Sequence, residues 1–181
     1  MKTNEIKKAF LNTLEAMPKN TCIIVATNQE KEMVDKFLGE SQSRERERER
    51  VVIQTGAGIS NALDSLLPLP HDTPVLNIGF AGSNQLGKSG IFTVKEVRHY
   101  HPNVSFDRPE PVLLLTPAPG LEGAICYTSQ DFVHDTKITE PVLFDMELAI
   151  IARLYQGQPV TSIKIVSDNL DLEEYTDTVS Q

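Results

Sequence analysis

Val51-Val52-Ile53-Gln54-Thr55-Gly56-Ala57-Gly58, followed by the helically spaced Ser60 to Leu67, decides the fold class. The β-branched run reads as a strand, the glycines as a tight turn, and the periodic segment after them as a helix. The same alternation extends in both directions. Upstream, Asn4 to Met17 is an amphipathic helix with Ile6, Phe10, Leu11 and Leu14 on one face, ended by Pro18. Cys22 to Ala26 is an apolar strand, and Gln29 to Leu38 a second helix stopped by Gly39. Downstream, Pro68, Pro70 and Pro74 make a rigid connection into the strand Val75 to Gly79. Ile91 to Val97, Val112 to Leu115, Ala124 to Tyr127 and Ser162 to Val166 are further strands, and Leu148 to Tyr155 is helical. Strands that alternate with helices predict an α/β domain with a mixed, mostly parallel central sheet flanked by helices.

With no repeat and no linker, residues 1–181 read as one domain, with 1–20 as an N-terminal helical extension. Residues 40–50 hold a strict Arg-Glu alternation from Arg44 to Arg50. In a helix it would set like charges four apart, so it reads as a solvated loop or an edge hairpin that resists pairing. Pro102 to Pro111 is a loop.

Formal net charge is −8, which argues against a nucleic-acid or anionic-membrane partner. No apolar stretch reaches the length of a membrane span, and no apolar signal core follows the first residues. Cys22 and Cys126 lie far apart in apolar runs and read as buried, reduced thiols. A cytoplasmic location is the expectation.

Two acidic motifs stand out late in the chain. Phe144-Asp145-Met146-Glu147 leads into the helix at Leu148, and Val166-Ser167-Asp168-Asn169 follows a strand. Each sets a carboxylate at the end of a buried element, where it needs a partner or a task. Asp145 fits a helix-capping position. Gly56-x-Gly58 reads as a tight turn lining a pocket. It lacks both the third glycine of a dinucleotide fingerprint and the Lys-Ser/Thr of a phosphate loop. Gly79-Phe80-Ala81-Gly82, taken as the end of a strand, allows close approach of a ligand or another backbone. His99 and His101 have no third ligand at a telling spacing, so no metal is expected. No cofactor is indicated.

In this order the motifs resemble the nucleoside phosphorylase and nucleosidase superfamily, and within it the methylthioadenosine/S-adenosylhomocysteine nucleosidases. Cys22 to Glu30 is similar to that branch's first strand and acidic turn, Thr55-Gly56-Ala57-Gly58 to its Ser-Gly-x-Gly turn, and Leu76 to Gly82 to its Ile-Asn-Thr-Gly-Ser-Ala-Gly segment. Thr128 to Val133 is similar to the segment that packs on the purine. Asp145-Met146-Glu147 resembles the Met-Glu ribose motif, and Ser167-Asp168 the Ser-Asp pair.

The resemblance implies hydrolysis of the N-glycosidic bond of a purine nucleoside, with phosphorolysis, or a degenerate non-catalytic nucleoside-binding or scaffold role, as the alternatives. It implies Asp168 as the acid that protonates the purine and Glu30 as the base that activates water. Glu147 would hold the sugar diol, with Met146 on the sugar face. Phe132 would stack on the base, the Val133 backbone would bond its edge, and Ala81 and Gly82 would line its pocket. It further implies a homodimer. Phosphorylases of the superfamily carry an arginine near the strand end where this chain has Asn77, which favours water over phosphate. Phe80 replaces a small serine and stands to fill part of the pocket. Thirteen residues follow Asp168, too few for the usual closing C-terminal helix. The helix at Asn4 to Met17 is a substitute cover for that surface.

Overall fold

Every residue of β1 (Cys22–Val25) is buried, because helices cover both of its faces. In the computed structural model, which describes residues 3–41, 50–87, 89–101 and 111–179, Cys22 and Ile24 point to one core cluster and Ile23 and Val25 to another. The second cluster is closed by α1 (Thr3–Ala16) and α2 (Asn28–Gly39), through Phe10, Leu14, Val34 and Phe37. The first is closed by α3 (Ile59–Leu66) and α4 (Leu148–Leu154). The fifth described helix, α5, runs from Leu172 to Val179.

The remaining strands are β2 (Val52–Gln54), β3 (Val75–Ser83), β4 (Ile91–His99), β5 (Leu113–Leu114), β6 (Glu122–Thr128), β7 (Leu143–Asp145) and β8 (Val160–Asp168). Their order is β2-β1-β3-β7-β6-β4-β5, and β8 pairs with both β3 and β4. The pairings β3-β7-β6-β4-β8-β3 therefore form a closed ring, with β2 and β1 extending one side and β5 the other. Closure removes most of the sheet's edges. The pairs β1-β2, β1-β3, β3-β8, β4-β6 and β6-β7 are parallel; β3-β7, β4-β5 and β4-β8 are antiparallel. The sheet is thus the mixed, mostly parallel one expected.

Three expectations change. The segment Gly79 to Gly82 is not the end of a strand: β3 continues to Ser83, paired with β8 along one edge and with β7 at its tip. A C-terminal helix does fit after Asp168, as the eight residues of α5. And α1 does not stand in for it. Phe10 packs on Phe37 of α2 with ring centroids 5.9 Å apart, on the far cluster, while α5 packs along β8. Arg50 fixes α1 by donating to the carbonyls of Leu14 and Pro18 at its C-terminal end. The alternating charges at 42–49 and most of the Pro102 to Pro111 loop lie outside the described residues. Both cysteines are buried and unpaired, and no described helix is long and apolar enough to cross a membrane.

Candidate active site

Strand ends and glycine turns meet at one cleft, with about 550 Å³ of empty space when the open solvent at its mouth is included. Glu30, Glu147 and Asp168 all border it, and so do Ala81, Gly82, Phe132, Val133 and Met146. The eight residues singled out from sequence therefore lie around a single void, although the chain separates the first and last by most of its length.

Glu30 is placed by the start of α2. Thr27 caps that helix, its hydroxyl accepting from the Glu30 N–H at 3.2 Å. The Glu30 carboxylate answers by accepting from the backbone of Ala26 (2.7 Å) and Thr27 (3.1 Å) through Oε2. Its Oε1 accepts from Phe80 N–H on β3 at 3.0 Å. Oε1 thus has one donor and keeps acceptor capacity toward the cleft.

Asp168 ends β8 beyond an irregularity, where register jumps from Ala81↔Val166 to Gly82↔Asp168. An extra residue in one strand breaks the side-chain alternation and re-aims the residues beyond it. Asp168 accepts from Ser167 Oγ at 2.6 Å and from Leu170 N–H at 3.0 Å. It is completely buried. That burial raises its carboxyl above the ordinary carboxylate range, against the downward pull of those two donors.

The glycines of β3 make room for these acids. A Cβ at Gly79 would lie 2.7 Å from Glu30 Oε1, and one at Gly82 would lie 2.8 Å from Asp168 Oδ2. The close approach expected at this segment is made by the two carboxyl groups themselves. Gly56 and Gly58 have φ of 82° and 95°, a region open to glycine. The turn they form brings Gly58 N–H to 3.1 Å from Glu147 Oε1.

Glu147 opens α4, and Asp145 two residues earlier anchors it. The cap position expected for Asp145 is taken by Glu147, whose side chain makes no cap bond. From two residues earlier Asp145 Oδ2 still accepts from Leu148 N–H at 2.8 Å, and from Lys164 Nζ at 3.1 Å. Its Oδ1 takes the Thr128 hydroxyl at 2.5 Å. Lys164 projects from β8 between Ile163 and Ile165, which face the other way, and it is almost wholly buried. Burial works against its charge, but Asp145 first, then Cys126 and Glu147, outweigh that and hold the ammonium above the ordinary lysine range. Sequence reading passed over Lys164 because a single cation in a strand carries no pattern.

Burial and then the charge of Asp145 push the Glu147 carboxyl from an ordinary 4.5 up to about 8, against the attraction of Lys164. A raised native value means that the native state keeps a proton the unfolded chain has already released. The associated stability is whole below about pH 4.5 and is lost as pH rises through about 8. Glu147→Gln removes that dependence. The wild-type protein is expected to lose on the order of 3 kcal/mol more than the variant between about pH 5 and pH 8. Urea midpoints measured across that range give the comparison, and parallel curves would contradict the assignment.

Phe80 is half-buried. Its ring forms part of the cleft wall and packs partly on the second core cluster, so it narrows the cleft without separating the acids from it. Asn77, where a phosphate-gripping arginine would stand, is buried in structural work. It donates to Ile24 O at 3.0 Å and accepts from Ser162 Oγ at 2.7 Å. Among the described residues no arginine lines the cleft. Tyr175, Leu170 and Thr27 also line it, and sequence reading missed all three.

No known family's sequence pattern matches this chain, and no curated protein matches it. Solved structures do. The nucleosidase MTAN from Chlamydia trachomatis superposes with a TM-score of 0.70 at 22% identity, covering 89% of this chain and 87% of that one. Structures of that protein carry bound MTA or adenine. A Helicobacter pylori 5′-methylthioadenosine/S-adenosylhomocysteine nucleosidase in complex with a pyrrolidine ligand gives 0.68 at 15%, covering 88% and 90%. Futalosine hydrolase of Helicobacter pylori gives 0.67 at 15%, with the same coverage. The chain therefore has the fold of these nucleoside hydrolases over nearly its whole length.

Proposed function

We propose that this protein hydrolyses the N-glycosidic bond of a purine nucleoside of the methylthioadenosine or adenosylhomocysteine type. The observation that carries this reading is the convergence of Glu30, Glu147 and Asp168 on one cleft bordered by Phe132 and Val133. The solved structures of like fold, which include nucleosidases and a futalosine hydrolase, support it. We further propose that residues 1–181 form one nucleoside-phosphorylase-like unit that works as a cytoplasmic homodimer. The two unpaired cysteines accord with a reducing compartment.

The bond from C1′ to the purine breaks through an oxocarbenium-like state. Asp168, its proton affinity raised by burial, gives that proton to purine N7, so the base leaves neutral. A water held at Glu30 Oε1 attacks C1′ from the other face and passes its proton to Glu30. Exchange with solvent then returns one proton to Asp168 and removes one from Glu30. Glu147 holds the sugar diol, with Met146 beside the sugar. Positive charge growing on the ring favours the ionised form of Glu147, so the contact strengthens as the barrier is climbed. Phe132 supplies an apolar surface to the base and the Val133 backbone a hydrogen bond to its edge. Ala81 and Gly82 leave room for it.

Water is favoured over phosphate by charge. A phosphate dianion among Glu30, Asp145, Glu147 and Asp168 would need free cations. Among the described residues the buried Lys164 is already paired with Asp145.

Incubation with methylthioadenosine, adenosylhomocysteine, adenosine and inosine is expected to release free base from at least one of them, at a rate unchanged by phosphate. No base from any of the four would refute the hydrolase. Because Phe80 narrows the cleft, binding without turnover is the second reading. Calorimetric titration that shows heat of binding in the absence of base release would support it instead.

A further inference from the structure

The Phe80 ring has no part in the chemistry just described, yet it stands beside the position given to the attacking water. The Phe80 N–H donates to Glu30 Oε1 at 3.0 Å. The Phe80 Cβ, which bears the ring, is two bonds from that nitrogen and so lies within about 6 Å of the oxygen. The side chain packs on the second core cluster, on the face of the sheet that α2 closes, and Glu30 comes from the first turn of α2. Ring and carboxylate therefore share one face, and both border the cleft. Space around Oε1 is scarce. Glu30 is only 4% exposed, and the β3 backbone bounds the oxygen so closely that a Cβ at Gly79 would lie 2.7 Å from it.

Resting on the hydrolase reading, we infer that Phe80 determines which nucleophile reaches C1′: its ring leaves room at Glu30 Oε1 for water and excludes an oxygen that carries a further group. Water at that place directs one proton to Glu30 and a lone pair to C1′, and presents nothing larger than hydrogen to the ring. An alcohol must set its carbon there. A phosphate must set its outer oxygens against an apolar surface that offers them no donor. Such a wall selects by exclusion, in addition to the charge that already disfavours phosphate.

The test is the partition between water and methanol during base release by the full chain, from whichever of the four nucleosides it cleaves best. Methanolysis breaks the same C1′–N bond and forms a C1′–O bond, with the methanol proton passing to Glu30 and the Asp168 proton to the base. The products, free sugar and methyl glycoside, therefore report the nucleophile alone. The wild-type protein is expected to form methyl glycoside at least about tenfold below the mole ratio of the two solvents, and Phe80→Ala to approach that ratio. Phe80→Leu, which keeps apolar cover on the second cluster, is expected to fall between them. Wild-type partition at the mole ratio, or unchanged selectivity in the variants that release base, overturns the inference and leaves the hydrolase standing. If neither variant releases base, the wild-type partition decides alone. Release of base from none of the four nucleosides by the wild-type protein overturns both.

Discussion

Asp168→Asn lowers the rate of base release by a factor on the order of 10²–10⁴ and leaves the fold intact. The expectation comes from the local hydrogen bonds. In the native site Asp168 Oδ1 accepts from Ser167 Oγ and Oδ2 from Leu170 N–H, at 2.6 and 3.0 Å. An amide of the same shape keeps both contacts. Its oxygen takes the Leu170 N–H, and its NH₂ donates to Ser167 Oγ. The Ser167 proton is then free for Ala81 O, already 3.3 Å away. Nothing buried loses its partner, so the melting temperature moves little. What disappears is the titratable proton. A purine leaving without protonation at N7 leaves as an anion, and the barrier rises accordingly. The pH profile gives a second reading. Burial raises Asp168, so wild-type kcat/KM falls as pH climbs past the ordinary carboxylate range, and the residual activity of the variant lacks that limb. Activity within about threefold of wild type, with the limb retained, would show that another group protonates the base.

The parts of the molecule that were legible in the sequence are those whose signal is local. The run from Val51 through Gly58 into α3, and the apolar faces of α1 and α2, follow from period and capping within about a dozen residues. β7 was not legible as a strand, because three residues, Leu143 to Asp145, show no period. Its existence depends on β3 and β6, far away in the chain. The continuation of β3 through Gly79 and Gly82 was read as an ending, since glycine in a strand ordinarily signals one. The glycines are there because two carboxyl groups occupy the space of their side chains. α5 was missed for the opposite reason. Leu172 to Val179 has few apolar residues, and its seat depends on contacts such as Thr178 Oγ to Ser167 O at 2.9 Å, which no pattern within the segment reveals. The acids of the cleft were found by motif, whereas Lys164 and Tyr175, which belong to no motif, were not.

Lys164→Met is expected to destabilise the protein by roughly 3–5 kcal/mol, the cost of stranding a buried charge. The side chains of Lys164 and Asp145 are 3% and 0% exposed, and Nζ lies 3.1 Å from Oδ2. Around that single ammonium stand Asp145, Glu147 and, further off, Glu30. Methionine fills the volume of the lysine stem but leaves Asp145 to choose between an uncompensated charge and a proton. Asp145 cannot relax toward water, because Thr128, Leu148 and the β6-β7 pairing hold it. For a domain of this size the loss corresponds to a fall in melting temperature of roughly 6–20 °C. The consequence for the site is as large. Lys164 is the attraction that opposes the raised proton affinity of Glu147. Without it Glu147 titrates higher still, and sugar binding weakens at neutral pH. Adding Asp145→Asn to Lys164→Met separates the two effects. The amide keeps the Leu148 N–H contact and removes the stranded charge, so much of the stability returns. A Lys164→Met protein that melts within about 2 °C of wild type, or a double variant less stable than the single one, would mean that the buried pair does not hold the start of α4 in place.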